Sequence, residues 1–127
     1  MNFHHALNKY KDSSINSVIE SSDKHSFVKL VLEELQKHLT ILEHCILNEK
    51  KTSPQKSKSF SKIITSLMIL MNSLDFEKGE PIASNLYNLY DFCRRSVISD
   101  YMKLEIDGIK KSLVIVNDIL TAWIEIR

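Results

Sequence analysis

Residues 23–49, DKHSFVKLVLEELQKHLTILEHCILNE, decide how the rest of the chain is read. Val28, Leu32, Leu35, Leu39, Leu42 and Ile46 step by fours and threes, the period of a helix that faces a bundle core. Phe27, Val31, Ile41 and Cys45 form a second stripe beside them. Ser21 and Ser22 are N-cap candidates, and Asp23 suits the positive end of the helix dipole. A helix with so wide an apolar stripe must bury it against other elements.

Those elements follow in order. Ser53 and Pro54 are an N-cap and first-turn pair, so a second helix is expected from there to Leu74. Its seam is Phe60, Ile63, Leu67, Leu70 and Leu74, with Ile64, Met68 and Met71 in a parallel row. Gly79 and Pro81 mark the next break. A third helix is expected from there to about Asp100, with Ile82, Leu86, Leu89, Cys93 and Val97 as its seam. Ala83, Tyr87, Tyr90 and Tyr101 flank that seam. The last helix is expected from Leu104 or Glu105 to the C-terminus. Ile106, Ile109, Leu113, Val116, Leu120 and Trp123 form one of its stripes, and Ile115, Ile119, Ala122 and Ile126 form another. Gly108, in its first turn, costs up to about 1 kcal/mol relative to alanine. The mid-seam leucines Leu35, Leu67, Leu86 and Leu113 are all expected to be buried. Long helices joined by short connections imply an all-α fold, an antiparallel up-down four-helix bundle.

Residues 1–21 are weaker. Phe3, Leu7 and Tyr10 fall on one side of a short helix, but such a piece cannot hold its shape alone. The expected organisation is one domain, residues 1–127. Residues 1–21 form an N-terminal cap or lid, and residues 23–127 form the bundle. The doubled stripe of the last helix fits either a wide core or an outer groove that takes another helix.

Composition narrows the function. The 127 residues include only Gly 2 and Pro 2, where average usage gives roughly nine and six. Gly-rich phosphate loops have no material to form from. The net charge of +1 provides no general attraction for nucleic acid or an acidic membrane. Cys45 and Cys93 are not a CxxC pair and read as buried thiols, with no disulfide between them. No signal peptide or membrane span is apparent, so the cytoplasm is the expected compartment. There is no Glu-x-x-His, HExxH, GxSxG or Walker sequence. No catalytic residue, metal site or cofactor is therefore expected. His38 reads as a partly buried, satisfied histidine. Lys50, Lys51, Lys56, Lys58 and Lys62 read as a solvated loop. Arg94 and Arg95 are expected to pair with Asp75, Glu77 or Asp91.

One stretch is less anonymous. Leu74-Asp75-Phe76-Glu77-Lys78-Gly79, Ile82-Ala83, Asn85-Leu86, Leu89-Tyr90-Asp91 and Arg94-Arg95 follow one another at fixed spacing, and Ala122-Trp123 stand in the last helix. These residues resemble the flagellin export chaperones, the FliS family. The family pattern has a second glycine where this chain has Glu80, and Tyr-Met where it has Phe92-Cys93. Leu7 and Tyr10 fall where members carry an apolar residue and a tyrosine.

The resemblance implies a cytoplasmic, non-enzymatic chaperone. It would bind the C-terminal, disorder-prone segment of flagellin, prevent premature polymerisation and assist export. It further implies a monomer in a 1:1 complex, with the export apparatus or flagellar regulators as further partners. Nucleic acid and membrane insertion have no part in it. Partner binding is then expected to involve Leu7, Tyr10, Ile82, Leu86, Tyr90, Ile115, Ile119 and Trp123. The competing reading is a helical adaptor or regulator that keeps the bundle and binds another flagellar protein.

Overall fold

The computed structural model of the protein describes residues 23–48 and 53–126. They form four α-helices and, among the described residues, no strand: α1 (Lys24–Leu47), α2 (Pro54–Asn72), α3 (Ile82–Lys103) and α4 (Asp107–Glu125). Neighbours in sequence pack side by side, and α1 also packs on α4, which closes the bundle. The packing is antiparallel. Cys45 at the end of α1 meets Gln55 at the start of α2, and Asp100 near the end of α3 meets Ile109 in the first turn of α4. Leu7, Tyr10 and the proposed cap lie outside the described residues.

Three of the helix starts have a local cause, and the fourth is capped from a neighbouring helix. The Asp23 carboxylate accepts the Ser26 amide at 2.9 Å, and the Ser53 hydroxyl accepts the Gln55 amide at 3.2 Å. Before α3, the Asp75 carboxylate accepts the amides of Glu77 and Lys78, each at 3.0 Å, and Gly79 closes the turn by donating to the Asp75 carbonyl. A Cβ on Gly79 would lie 2.6 Å from that carbonyl oxygen. Ile106, which precedes α4, provides no side-chain cap. Its place is taken from another helix: the buried Asp100 carboxylate accepts the Ile109 amide at 2.8 Å. Leu104 turns the α3–α4 corner in a left-handed conformation, φ 58°.

The α1 seam is buried along its whole length, from Val28 to Ile46. Phe27, Val31 and Cys45 of its second stripe are buried too. Leu35 and Leu67 are completely enclosed, whereas Leu86 and Leu113 are half-buried at the edge of the core. The expected burial of all four leucines therefore fails for two.

The α3 seam also differs from expectation. Ala83, Tyr90, Cys93, Val97 and Asp100 are its buried residues, while Ile82 is 66% exposed and Leu89 is exposed beside it. Ile82 and Leu89 sit one residue before Ala83 and Tyr90, hence about 100° round the helix. The α3 helix extends past Asp100 to Lys103, and α4 begins at Asp107. Ile126 lies past the end of α4 and is 65% exposed, and Met68 on α2 is also exposed.

Two polar residues are placed differently from the sequence reading. Lys56 does not belong to a solvated loop. It lies in the first turn of α2, buried, with its ammonium 5.5 Å from the centre of the Tyr101 ring. Tyr101 in turn stacks on Phe60. His38 is buried, with Nε2 3.3 Å from Glu34, but its Nδ1 has no partner, so it is only half satisfied. Cys45 and Cys93 are free, buried thiols.

Candidate functional site

At one end of the bundle the start of α1, the end of α2, the start of α3 and the end of α4 surround a cavity of about 330 Å³. Its walls are Val28, Leu70, Leu74, Ala83, Leu86, Tyr90 and Trp123. Lys24, His25, Ser73 and Asp75 contribute polar groups. The turn before α3 positions Leu74, Asp75 and Gly79 against it, and Ile82 stands at its mouth.

Trp123 and His25 join the end of α4 to the start of α1 in the wall of this cavity. The Trp123 indole N–H donates to the His25 carbonyl at 2.9 Å, and His25 Nε2 meets the Trp123 carbonyl at 2.8 Å. Since a carbonyl only accepts, Nε2 is the donor. The two rings stack at 4.9 Å, nearly parallel.

A second, open depression runs along the outside of α3 and α4, lined by Asn85, Asn88, Leu89, Phe92 and Ile115. Ile119, one turn further along α4, is half-buried against the core. The structure thus gathers Ile82, Leu86, Tyr90 and Trp123 into one pocket and puts Ile115 in the neighbouring groove. Ile119 borders the core without lining either depression. His25, Leu74 and Asp75 line the pocket although sequence reasoning did not assign them to binding. Leu74 and Asp75 stood in the quoted motif; His25 acts through a ring stack and backbone-carbonyl hydrogen bonds with Trp123 on a distant helix, which leave no sequence mark.

The pocket is lined chiefly by apolar side chains. Burial, with Cys93 nearby, pushes the Tyr90 hydroxyl above its ordinary pKa. Burial also pushes the Cys93 thiol up. Neither group is an anion at neutral pH. Among the described residues no three His, Cys, Asp or Glu side chains converge as metal ligands would. No described helix is long and apolar enough to cross a membrane.

The family described as flagellar protein FliS matches residues 6–127. The chain belongs to the FliS family. Its relatives include the flagellar secretion chaperone FliS of Vibrio cholerae, 24% identical over 121 residues, covering 95% of this chain and 88% of that protein. The flagellar secretion chaperone FliS of Salmonella typhimurium is 25% identical over 121 residues, covering 94% and 88%. In this FliS-family chain part of the quoted motif lines the pocket: Leu74, Asp75, Gly79, Ile82, Ala83, Leu86, Tyr90 and Trp123.

Proposed function

We propose that the protein is a cytoplasmic flagellar export chaperone that binds the C-terminal segment of flagellin. On this reading it holds the segment in a 1:1 complex, prevents premature polymerisation and acts by binding alone, without catalysis. Residues 1–127 act as one unit, with residues 1–21 covering the bundle of 23–127. The observation that carries the reading is that part of the family motif lines an apolar pocket, with the exposed Ile82 among its lining residues. The client segment, disorder-prone outside its polymer, has the amphipathic pattern of a helix and presents an apolar face when it folds on the chaperone. Each large apolar side chain that the pocket takes from water contributes roughly 1.5–3 kcal/mol. A helix laid on such a surface uses anchors spaced by three and four residues.

The test is titration of purified flagellin, and of flagellin lacking its C-terminal segment, into the wild type and the Ile82→Asp variant. Ile82 is exposed, so its replacement leaves unfolding by urea unchanged. The expected result is tight binding of the full client, none of the truncated one, and at least a roughly tenfold loss with Ile82→Asp. Equal binding of truncated flagellin would reject the proposal, and binding of a different flagellar protein at this site would establish the adaptor reading.

A further inference from the structure

The outer face of α3 carries a second surface, on a different side of the helix from the pocket. Arg94, Arg95, Ile98, Ser99, Met102 and Lys103 line a shallow depression there. Arg95, Ile98 and Met102 are spaced by three and four residues, so they form one stripe. Met102 is 77% exposed, the most exposed large apolar side chain among the described residues. Leu86 at the pocket and Ile98 are twelve residues apart, which is about 18 Å along a helix.

The cations of this face are held in place before any partner arrives. Asp91 Oδ1 accepts from Arg94 Nε at 3.1 Å and Nη2 at 2.7 Å, and Asp91 Oδ2 accepts from Arg95 Nε at 3.0 Å. One carboxylate thus sets two guanidinium groups side by side. Arg95 remains largely exposed, and its hydrogen bond to Asp91 is made through Nε. An exposed arginine loses rotamer freedom on binding, and a pair already fixed loses less. Lys103 adds a third cation beyond Met102.

The mixture of charge and apolar area selects the kind of partner. A single-stranded nucleic-acid interface stacks bases on aromatic side chains between its cations, whereas this face has Ile98 and Met102. The chain as a whole is close to neutral, so it has no long-range field for nucleic acid. Carboxylates match arginine forks in shape as well as charge. From this complementarity we infer that the Arg94–Lys103 face docks an acidic amphipathic helix of a partner protein, with glutamate or aspartate on the arginines and leucine or methionine on Ile98 and Met102. This surface is separate from the client pocket, so a single α3 can serve a client and a second protein together.

The experiment is an NMR titration of the isotope-labelled, full-length chain with a synthetic helical peptide that carries glutamates flanking leucines on one face. The parallel probes are its Glu→Gln counterpart, a DNA duplex and vesicles of anionic phospholipid. Saturable shifts at the amides of Arg95, Ile98, Met102 and Lys103 are expected with the acidic peptide. Arg95→Glu and Met102→Asp each weaken binding about tenfold, added salt weakens it, and both variants still bind flagellin as the wild type does. Shifts confined to other surfaces, equal binding of the Glu→Gln peptide, or stronger binding of DNA or vesicles at these residues would each overturn the inference. Loss of flagellin binding in both exposed-site variants would also overturn it, because the two surfaces would then be one. Failure of flagellin to bind the wild type bears only on the proposed function and leaves the peptide result standing.

Discussion

Trp123 and His25 hold each other by two reciprocal hydrogen bonds, indole N–H to the His25 carbonyl at 2.9 Å and His25 Nε2 to the Trp123 carbonyl at 2.8 Å. They join the first turn of α1 to the last turn of α4, where helix ends would otherwise fray. The stacked rings also form one wall of the pocket. Trp123→Phe keeps an aromatic wall but removes the donor, and is expected to cost about 1 kcal/mol in urea unfolding while client affinity is largely retained. Trp123→Ala removes the wall as well, and client affinity should fall at least tenfold, as for an aromatic anchor. An equal effect of the two variants on client binding would show that the wall does not contact the client.

Gly108 provides a prediction whose sign opposes helix propensity. In an exposed helix, Gly→Ala stabilises by up to about 1 kcal/mol. Here a new Cβ would stand 2.9 Å from the Ser96 Cβ and 3.0 Å from Asp100 Oδ2. Those distances are too short, and the second atom belongs to the carboxylate that caps α4. Gly108→Ala is therefore expected to destabilise by about 1–3 kcal/mol, as overpacking does. A urea midpoint at or above that of the wild type would contradict the close α3–α4 approach.

The core leucines should separate into two classes. Leu35→Ala and Leu67→Ala empty fully enclosed sites and are expected to cost about 2–5 kcal/mol. Leu86 and Leu113 are half-buried, so their alanine variants should cost about half as much. Denaturant unfolding of the four variants checks the order. Leu86→Ala should also weaken client binding, because its side chain faces the pocket.

These classes show what the sequence made legible. The α1 seam consists of large aliphatic residues on every core position, so periodicity identifies it without error. The α3 seam does not announce itself, because Ala83, Cys93 and Asp100 are small or charged, while Ile82 and Leu89 are large and face outward. Large apolar residues exposed on α3 mimic a core stripe one position out of register. The pocket was legible through the motif, since Ile82, Leu86, Tyr90 and Trp123 were named from it and meet in space. Asp100 as a cap for α4, and Lys56 under Tyr101, depend on contacts between helices, which no local pattern records.

The pH dependence follows from His38. Burial lowers its pKa, opposed by Glu34 and assisted by Lys37 and Lys62. Nδ1 is buried without a partner, so the folded state resists the proton that the unfolded chain accepts at about pH 6.5. The unfolded state then binds more protons below that pH, and stability falls as pH drops through the window. His38→Leu should flatten the profile on the acid side of pH 6.5 in urea unfolding. Further loss is expected only near the carboxylate range. There Asp91 is held low by Arg94 and Arg95, and Asp75 by the amides of Lys78 and Glu77. A profile with the same slope in His38→Leu and wild type would place the titration elsewhere.

The N-terminal segment tests the proposed function from the other side. Phe3, Leu7 and Tyr10 can align on one face of a short helix, which needs an apolar surface to hold it. The client, also an amphipathic helix, seeks the same kind of surface. Residues 1–22 precede Asp23 in the chain, and Lys24 and His25 line the pocket. A tether of that length gives a high effective concentration, so even weak docking competes with the client. We expect hydrogen exchange at residues 3–19 to change when flagellin binds. Leu7→Ala combined with Tyr10→Ala should alter client affinity and leave bundle unfolding nearly unchanged. A fixed cap predicts the reverse pattern: exchange that ignores the client, and a large loss of stability in the double variant, since a permanently packed segment contributes to folding as any core element does.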